Sequence, residues 1–365
     1  MNKGCSKILA DAREFVKAKN TGIGRVIEGL TDALAENDTI REVILTVSSP
    51  DVVYERLRNR KKIKIKKISQ SFLTSEKTLS DLSKTGIDLF ISPYPKLPLF
   101  GCNCKSIHII HDVLDLTNPL YRKRFKVLFD GWRLKKALKK ADLTWYDSSW
   151  SLEETKKYVD FIGKNPKVRY PGIDEKFYFK NNTNQNDVLR EYKLQSGYIL
   201  VIGNGLPHKN LGVLLKIANQ LSRKIVLTGV SRKNQIYWYK RYPEHIATWI
   251  NHVTDDDLPF LIRESFCLVQ PSTVEGYGYP PLEAMACGVP AIISNIPVLK
   301  ETTGCNVLIA NLNNPKEWKD AIEALENKDI YNNQIKKGLK WVEPLRGRKG
   351  WQKHIEDVEE LLKSI

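Results

Sequence analysis

Short apolar runs alternate along this chain with stretches whose apolar residues recur every three or four positions. That is the pattern of buried parallel strands separated by helices. In the first half, Lys7–Ala10, Glu42–Val47, Ile87–Ser92 and Ser106–Ile110 read as strands. Between the first two, residues 21–36 set Ile23, Ile27, Leu30 and Leu34 at helical spacing. The second half repeats the scheme, with strands expected at Tyr198–Gly203, Lys224–Gly229, Phe266–Gln270 and Ala291–Ser294. Two such successions imply an α/β protein of two parallel sheets, each covered by helices on both faces. A polar, turn-rich tract near Lys180–Gln195 marks the boundary, giving domains of residues 1–178 and 179–345. In the remaining segment, 346–365, residues Trp351, Ile355, Val358, Leu361 and Leu362 fall on one side of an amphipathic helix. Ligands of open α/β sheets bind outside the carboxyl ends of the strands, so a cleft between two such domains is the expected site.

Composition agrees with two domains: 365 residues suffice for two cores, and 42% hydrophobic with 27% charged residues is globular usage. No run of eighteen apolar residues predicts a membrane span, and the first fifteen residues lack a signal-peptide core. Cys5, Cys102, Cys104, Cys267, Cys287 and Cys305 make no C-x-x-C pattern; scattered thiols read as buried small hydrophobes in a reducing cytoplasm. The net charge of +16 is lopsided, with +12 on residues 1–178. A basic half implies an anionic partner: nucleic acid, lipid headgroups or a diphosphate. Nucleic acid is disfavoured, because no binding motif accompanies the charge. The tract 121–141 places Tyr121, Phe125, Leu128 and Trp132 at helical spacing among Lys123, Arg124, Arg133, Lys136 and Lys140, and a second basic tract covers 58–69. Two readings of the first tract stand together: a helix packed on its own sheet, and a surface for anionic membrane lipids.

The densest chemistry lies at 271–290, PSTVEGYGYPPLEAMACGVP. Pro280 or Pro281 should open a short helix and Gly288 should end it. Glu283 is then expected in the first turn, near unpaired backbone N–H groups suited to a phosphate. Glu275 stands on the loop before, where Gly276 and Gly278 let the backbone approach a ligand. Elsewhere, Gly22 and Gly24 open a helix, and His111 ends a strand while His108 lies inside it. Lys209 is expected at the start of a helix beginning near Asn210, where a cation opposes the dipole unless an anion offsets it. Thr254 with Asp257 reads as a capping box rather than a metal site.

The 271–290 stretch resembles the E-x7-E signature of the retaining GT-B glycosyltransferases, specifically family four (glycosyl transferases group 1). The D-A-R and T-G-I-G-R of the opening, the H-D at His111-Asp112 and the G-N-x-x-P-H-K-N loop from Gly203 to Asn210 resemble it too. The resemblance implies two Rossmann-like domains facing a central cleft, with the terminal helix crossing back to the N-terminal domain. It implies that Lys209, Gly203, Asn204, His208, Tyr279, Pro280 and Leu282 meet the nucleotide diphosphate and that Glu283 holds the ribose. Glu275 and His111 would attend the donor sugar. Gly22, Gly24, Arg25, Gly276, Tyr277 and Gly278 would border it. Many relatives place an arginine where Gly205 and Leu206 stand, which leaves Arg25, His208 or Arg232 to supply a second cationic clamp.

The resemblance also implies a metal-independent hexosyltransferase without a cofactor, moving sugar from a nucleotide sugar to a glycan or polyprenyl-diphosphate-linked saccharide in cell-surface polysaccharide synthesis. A cytoplasmic protein, peripheral on the inner membrane face, fits that role. The pattern is nearest to bacterial mannosyltransferases of surface-polysaccharide assembly, so GDP-mannose is the first donor to expect. UDP- and dTDP-sugars stay open, and a GT-B-fold epimerase or a basic binding module are the rivals.

Overall fold

The computed structural model describes residues 6–16, 21–117, 124–178 and 185–364. Tyr121, Lys123 and the start of the polar boundary tract lie outside these residues. The chain divides into two compact units, Met1–Gly172 with Gly347–Ile365, and Ile173–Arg346. The division thus falls a few residues before the polar tract, and the C-terminal segment belongs to the first unit.

Unit 1 is built on seven strands: β1 (Ser6–Asp11), β2 (Ile40–Val47), β3 (Ile63–Lys67), β4 (Leu89–Ser92), β5 (Lys105–Ile110), β6 (Leu143–Tyr146) and β7 (Pro166–Val168). They run in the order β3-β2-β1-β4-β5-β6-β7, all pairs parallel. Unit 2 has β8 (Tyr198–Ile202), β9 (Ile225–Thr228), β10 (Thr248–Ile250), β11 (Ser265–Gln270), β12 (Ala291–Ser294) and β13 (Leu308–Ala310), ordered β10-β9-β8-β11-β12-β13. Both sheets therefore grow outward from their first strand and then reverse to its other side. That reversal is the doubly wound plan, and it opens a crevice at the carboxyl ends of β1/β4 and of β8/β11.

The sequence pattern predicts the central strands because both of their faces are buried. It passes over β3, whose IKIKK alternates lysine with isoleucine. Lysine suits an edge strand, where it discourages pairing with other chains. The pattern also passes over β6, β7, β10 and β13, of which the last three have only three residues each. Among the thiols Cys267 is buried, whereas Cys305 is exposed, against expectation. It follows the helix Pro297–Thr303 in a left-handed turn (φ 55°), where the chain passes over the surface.

The terminal helix Gln352–Lys363 completes unit 1 by burying His354, Ile355, Asp357 and Val358. Asp357 accepts from Trp145 Nε1 (2.9 Å), Arg169 Nε (2.7 Å) and Lys167 Nζ (2.9 Å). Burial alone would raise its pKa, but these donors hold it below the usual carboxylate range. Trp351 wedges against two glycines: a Cβ on Gly29 would lie 2.7 Å from Trp351 Cζ2, and one on Gly172 would lie 2.6 Å from Nε1. Gly29→Ala is therefore expected to lower unit 1 stability by about 1–3 kcal/mol, the usual cost of overpacking. Thermal melts that match wild type would show that Trp351 can move aside.

Candidate functional site

In unit 2 the sheet reversal brings the loops after β8 and β11 side by side. Thr273 N donates to the His208 carbonyl (2.8 Å), which ties one loop to the other. Across this seam Lys209 Nζ donates to Glu275 Oε1 (2.6 Å), and Gln270 Nε2 donates to the same oxygen (2.5 Å). The Lys209 and Glu275 side chains are only 15% and 12% exposed, so the pair is screened little by solvent. Burial pushes the Glu275 carboxyl up, but the Lys209 charge and hydrogen bond outweigh it and keep the group ionised. The Lys209 stem crosses Gly203 closely, so that a Cβ there would just touch it at 3.4 Å.

Two expectations are corrected here. Lys209 does not start a helix. It ends a 3-10 turn, Pro207–Lys209, and Asn210 follows in a left-handed conformation (φ 48°). Its charge is offset by Glu275, so the dipole argument for a bound phosphate falls away. Glu283 does not lie in the first turn either. The helix Tyr279–Ala286 begins earlier, so Glu283 is its fifth residue and only 1% exposed. The helix limits otherwise follow the sequence: Gly278 caps the start at φ 91°, and Gly288 leaves the end at φ 73°. The capping residue, Gly278, has no side chain with which to cap that N-terminus. Pro280 and Pro281 carry no N–H, so the backbone donors of the first four positions are those of Tyr279 and Leu282. A Cβ at Gly278 would lie 2.4 Å from Leu299 Cδ2, so only glycine fits.

Around this core, Tyr277 is buried with its ring 5.1 Å from that of Tyr279, and Gly276 links it to Glu275. Asn204 Oδ1 accepts from Leu206 N (3.1 Å), shaping the exposed end of the β8 loop. Burial, and then the Lys209 charge, push His208 down to about 4. His208 is therefore neutral near pH 7 and offers an N–H but no cation. Arg232 is exposed and reaches Gln235 (3.4 Å).

Unit 1 holds the other predicted residues. His111 follows β5, and both of its nitrogens face acceptors: Nδ1 donates to Asp147 Oδ2 (2.5 Å) and Nε2 to the Pro93 carbonyl (2.9 Å). Two acceptors require two protons. Burial opposes the charge, but Asp147 prevails and the imidazole pKa is raised. His111 thus pins the ends of β4, β5 and β6 together, with its protonated form favoured by Asp147. His108 is fully buried against Thr144, as its place inside the strand predicts. Gly22, Gly24 and Arg25 open the helix Gly22–Ala35; its cap, Thr21, accepts from Gly24 N (3.0 Å) and donates to Glu14 (2.7 Å).

Sequence reasoning missed Glu14 and Tyr94, which meet at the β1/β4 reversal, with Tyr94 Oη donating to Glu14 Oε2 (3.0 Å). Arg13 is clamped between Asp11 (2.6 Å) and Glu76 (3.0 Å) beside them. It also missed Gln270 and Asp147. The available signal was only positional, a polar residue at the carboxyl end of an apolar run.

Two doubly wound parallel sheets, with charged loops at the reversal of each, define the GT-B class of α/β protein. The curated relatives and solved structures agree. Residues 184–341, most of unit 2, match the family model described as glycosyl transferases group 1. The O-antigen chain mannosyltransferase B of Escherichia coli is 28% identical over 231 residues, 60% of each chain. The O-antigen chain mannosyltransferase RfbU of Salmonella typhimurium is 30% identical over 154 residues, 40% of this chain and 43% of its own. The chain thus matches less than two thirds of the length of either. Among solved structures, Anabaena Alr3699/HepE in complex with UDP-glucose superposes with a TM-score of 0.76 at 15% identity, covering 98% of this chain and 100% of its own. At that identity the likeness concerns the fold.

Proposed function

We propose that this protein is a retaining glycosyltransferase that moves a hexosyl group from a nucleotide sugar to a hydroxyl of a glycan or lipid-linked saccharide. The observation that carries the reading is the largely shielded Lys209–Glu275 pair at the β8/β11 reversal, beside a helix start whose cap residue is glycine. Mannosyl transfer from GDP-mannose is the preferred form, because the relatives above are named O-antigen chain mannosyltransferases. UDP- and dTDP-sugars are the alternatives. The acceptor class places the work in cell-surface polysaccharide assembly, at the inner face of the membrane.

In this reading the donor diphosphate lies against the Tyr279 and Leu282 N–H groups and draws on the Lys209 ammonium. Glu283 accepts from the ribose hydroxyls and Glu275 from those of the sugar. The bond from the anomeric carbon to the diphosphate oxygen breaks, leaving negative charge on the phosphate that Lys209 and the N–H groups stabilise. The acceptor oxygen attacks from the same face and its proton passes to the departing phosphate, so no enzymic nucleophile, metal or cofactor is invoked. The glutamates bind rather than act as an acid and nucleophile pair.

A thermal-shift panel with GDP, UDP, dTDP and ADP tests the donor. A ligand at about 100 times its Kd stabilises by about 2.7 kcal/mol, so the matching nucleotide alone should raise Tm by several degrees. GDP is expected to do so. A shift with UDP or dTDP alone would replace the mannosyl reading, and no shift with any would sink the transferase.

A further inference from the structure

The geometry of one helix in unit 1 assigns a second interaction surface: we propose that the exposed face of the helix Arg124–Lys140 docks on an anionic phospholipid bilayer, with the cavity beside Trp132 receiving a lipid phosphate. The inner face of this helix is accounted for, since Leu134, Ala137 and Leu138 are fully buried. The outer face is not. Phe125 is 86% exposed, Leu128 67%, Phe129 40% and Trp132 49%, and these four share one helical stripe. Phe72, from the helix Phe72–Leu82, extends the stripe, with its ring 6.1 Å from Phe129, which in turn stacks on Trp132 at 6.0 Å. A contiguous aromatic patch of this kind on a soluble unit marks an interaction site.

The charge around it selects the partner. Lys135, Lys139 and Lys140 are exposed on the next turns, and the Lys136 ammonium stands 4.9 Å from the Trp132 ring. None of these four has a carboxylate partner among the described residues. Among the lysines of this helix Lys126 differs, being taken by Asp115 (2.8 Å). Aromatic side chains flanked by unpaired lysines suit a bilayer interface, where the rings enter the headgroup region and each lysine meets anionic lipid.

Trp132, Lys136 and Lys140 also line a cavity of about 250 Å³, together with Leu97–Leu99, Gly101–Cys104 and Arg133. Its one carboxylate, Asp142, is occupied by Lys105 (3.5 Å) and the Ser106 N–H (2.9 Å). Arg133 is occupied by Glu76 (2.5 Å) and the Leu97 carbonyl (2.7 Å). Lys136, which reaches only the Leu99 carbonyl at 3.3 Å, and Lys140 are left to meet a phosphate at the membrane side of the cavity. This proposal takes its use, though not its evidence, from the transfer reading: a lipid-linked acceptor would be met at the same surface.

Flotation of the full chain with vesicles tests it without nucleotide or acceptor, so its failure leaves the donor reading standing, and the reverse. Binding is expected to phosphatidylcholine vesicles that contain phosphatidylglycerol, with loss in high salt, and not to phosphatidylcholine alone. Phe125→Ser with Leu128→Ser should lower the partition constant about tenfold or more, as should Lys136→Gln with Lys140→Gln. Both pairs should keep the wild-type melting temperature and nucleotide response. The proposal is overturned by a wild-type chain that ignores the anionic vesicles, or by variant pairs that float as well as wild type. It is also overturned by a concentration-dependent dimer that Phe125→Ser with Leu128→Ser dissolves, which would assign the face to a second copy. Stabilisation by soluble glycerol phosphate that depends on Lys136, without vesicle binding, would assign the cavity to a free phosphate ester instead.

Discussion

Glu275→Gln is expected to lower the turnover of hexosyl transfer by about 10²–10³-fold while the protein stays folded. The carboxylate oxygen at this position takes both the Lys209 ammonium and the Gln270 amide, at 2.6 and 2.5 Å. An amide in its place cannot balance the lysine charge or accept strongly from sugar hydroxyls. The partner change separates structure from chemistry. Lys209→Met leaves a buried carboxylate without its cation and should cost about 3–5 kcal/mol of stability. The double variant Lys209→Met/Glu275→Gln removes both charges and should recover most of that loss, yet remain inactive. Urea unfolding of the three variants, with single-turnover transfer assays, checks the set. An active double variant would show that the pair only supports the loops. The pH dependence has a defined sign. Because the folded pKa of Glu275 is depressed, its contribution is present above the unfolded carboxylate range and is lost as pH falls through the folded value.

Asp147→Asn carries the second large effect, and its pH dependence runs the other way. His111 is held as an imidazolium by Asp147, so its folded pKa lies above its unfolded one. Such a group contributes fully below about pH 6.5, the unfolded histidine value, and its contribution fades as pH rises through the folded pKa. Asp147 is 2% exposed, so its loss strands the buried cation beside a neutral amide. The expected cost is about 3 kcal/mol near pH 6, shrinking in more alkaline buffer as His111 loses its proton. Melts across a pH series check this. A difference from wild type that stays constant with pH would mean that His111 is neutral and the pin is an ordinary hydrogen bond.

Much of the framework was legible from the chain alone, for local reasons. The apolar runs of β1, β2, β4, β5, β8, β9, β11 and β12 follow from burial on both faces. The helix Tyr279–Ala286 follows from proline at its start and glycine past its end. What could not be read depends on distant residues. The partner of Lys209 was hidden because Glu275 stands 66 positions away. The partner of His111 was hidden because Asp147 is 36 positions on, and Glu14 gave no sign because Tyr94 is 80 positions on. The helix Arg124–Lys140 shows the same limit. Its period announces an amphipathic helix, but Phe125, Leu128 and Trp132 read as well for a packed face as for an open one.

Two parallel sheets, the loops that end their central strands, and the turn chemistry of residues 271–290 are all encoded locally along the chain. These follow from backbone preference and from the need to bury continuous apolar runs. Which charges meet, which histidine is driven toward its protonated form, and which side of a helix stays open emerge only in the folded molecule. Those outcomes depend on close approach in space between residues far apart in the chain, and no local period encodes that.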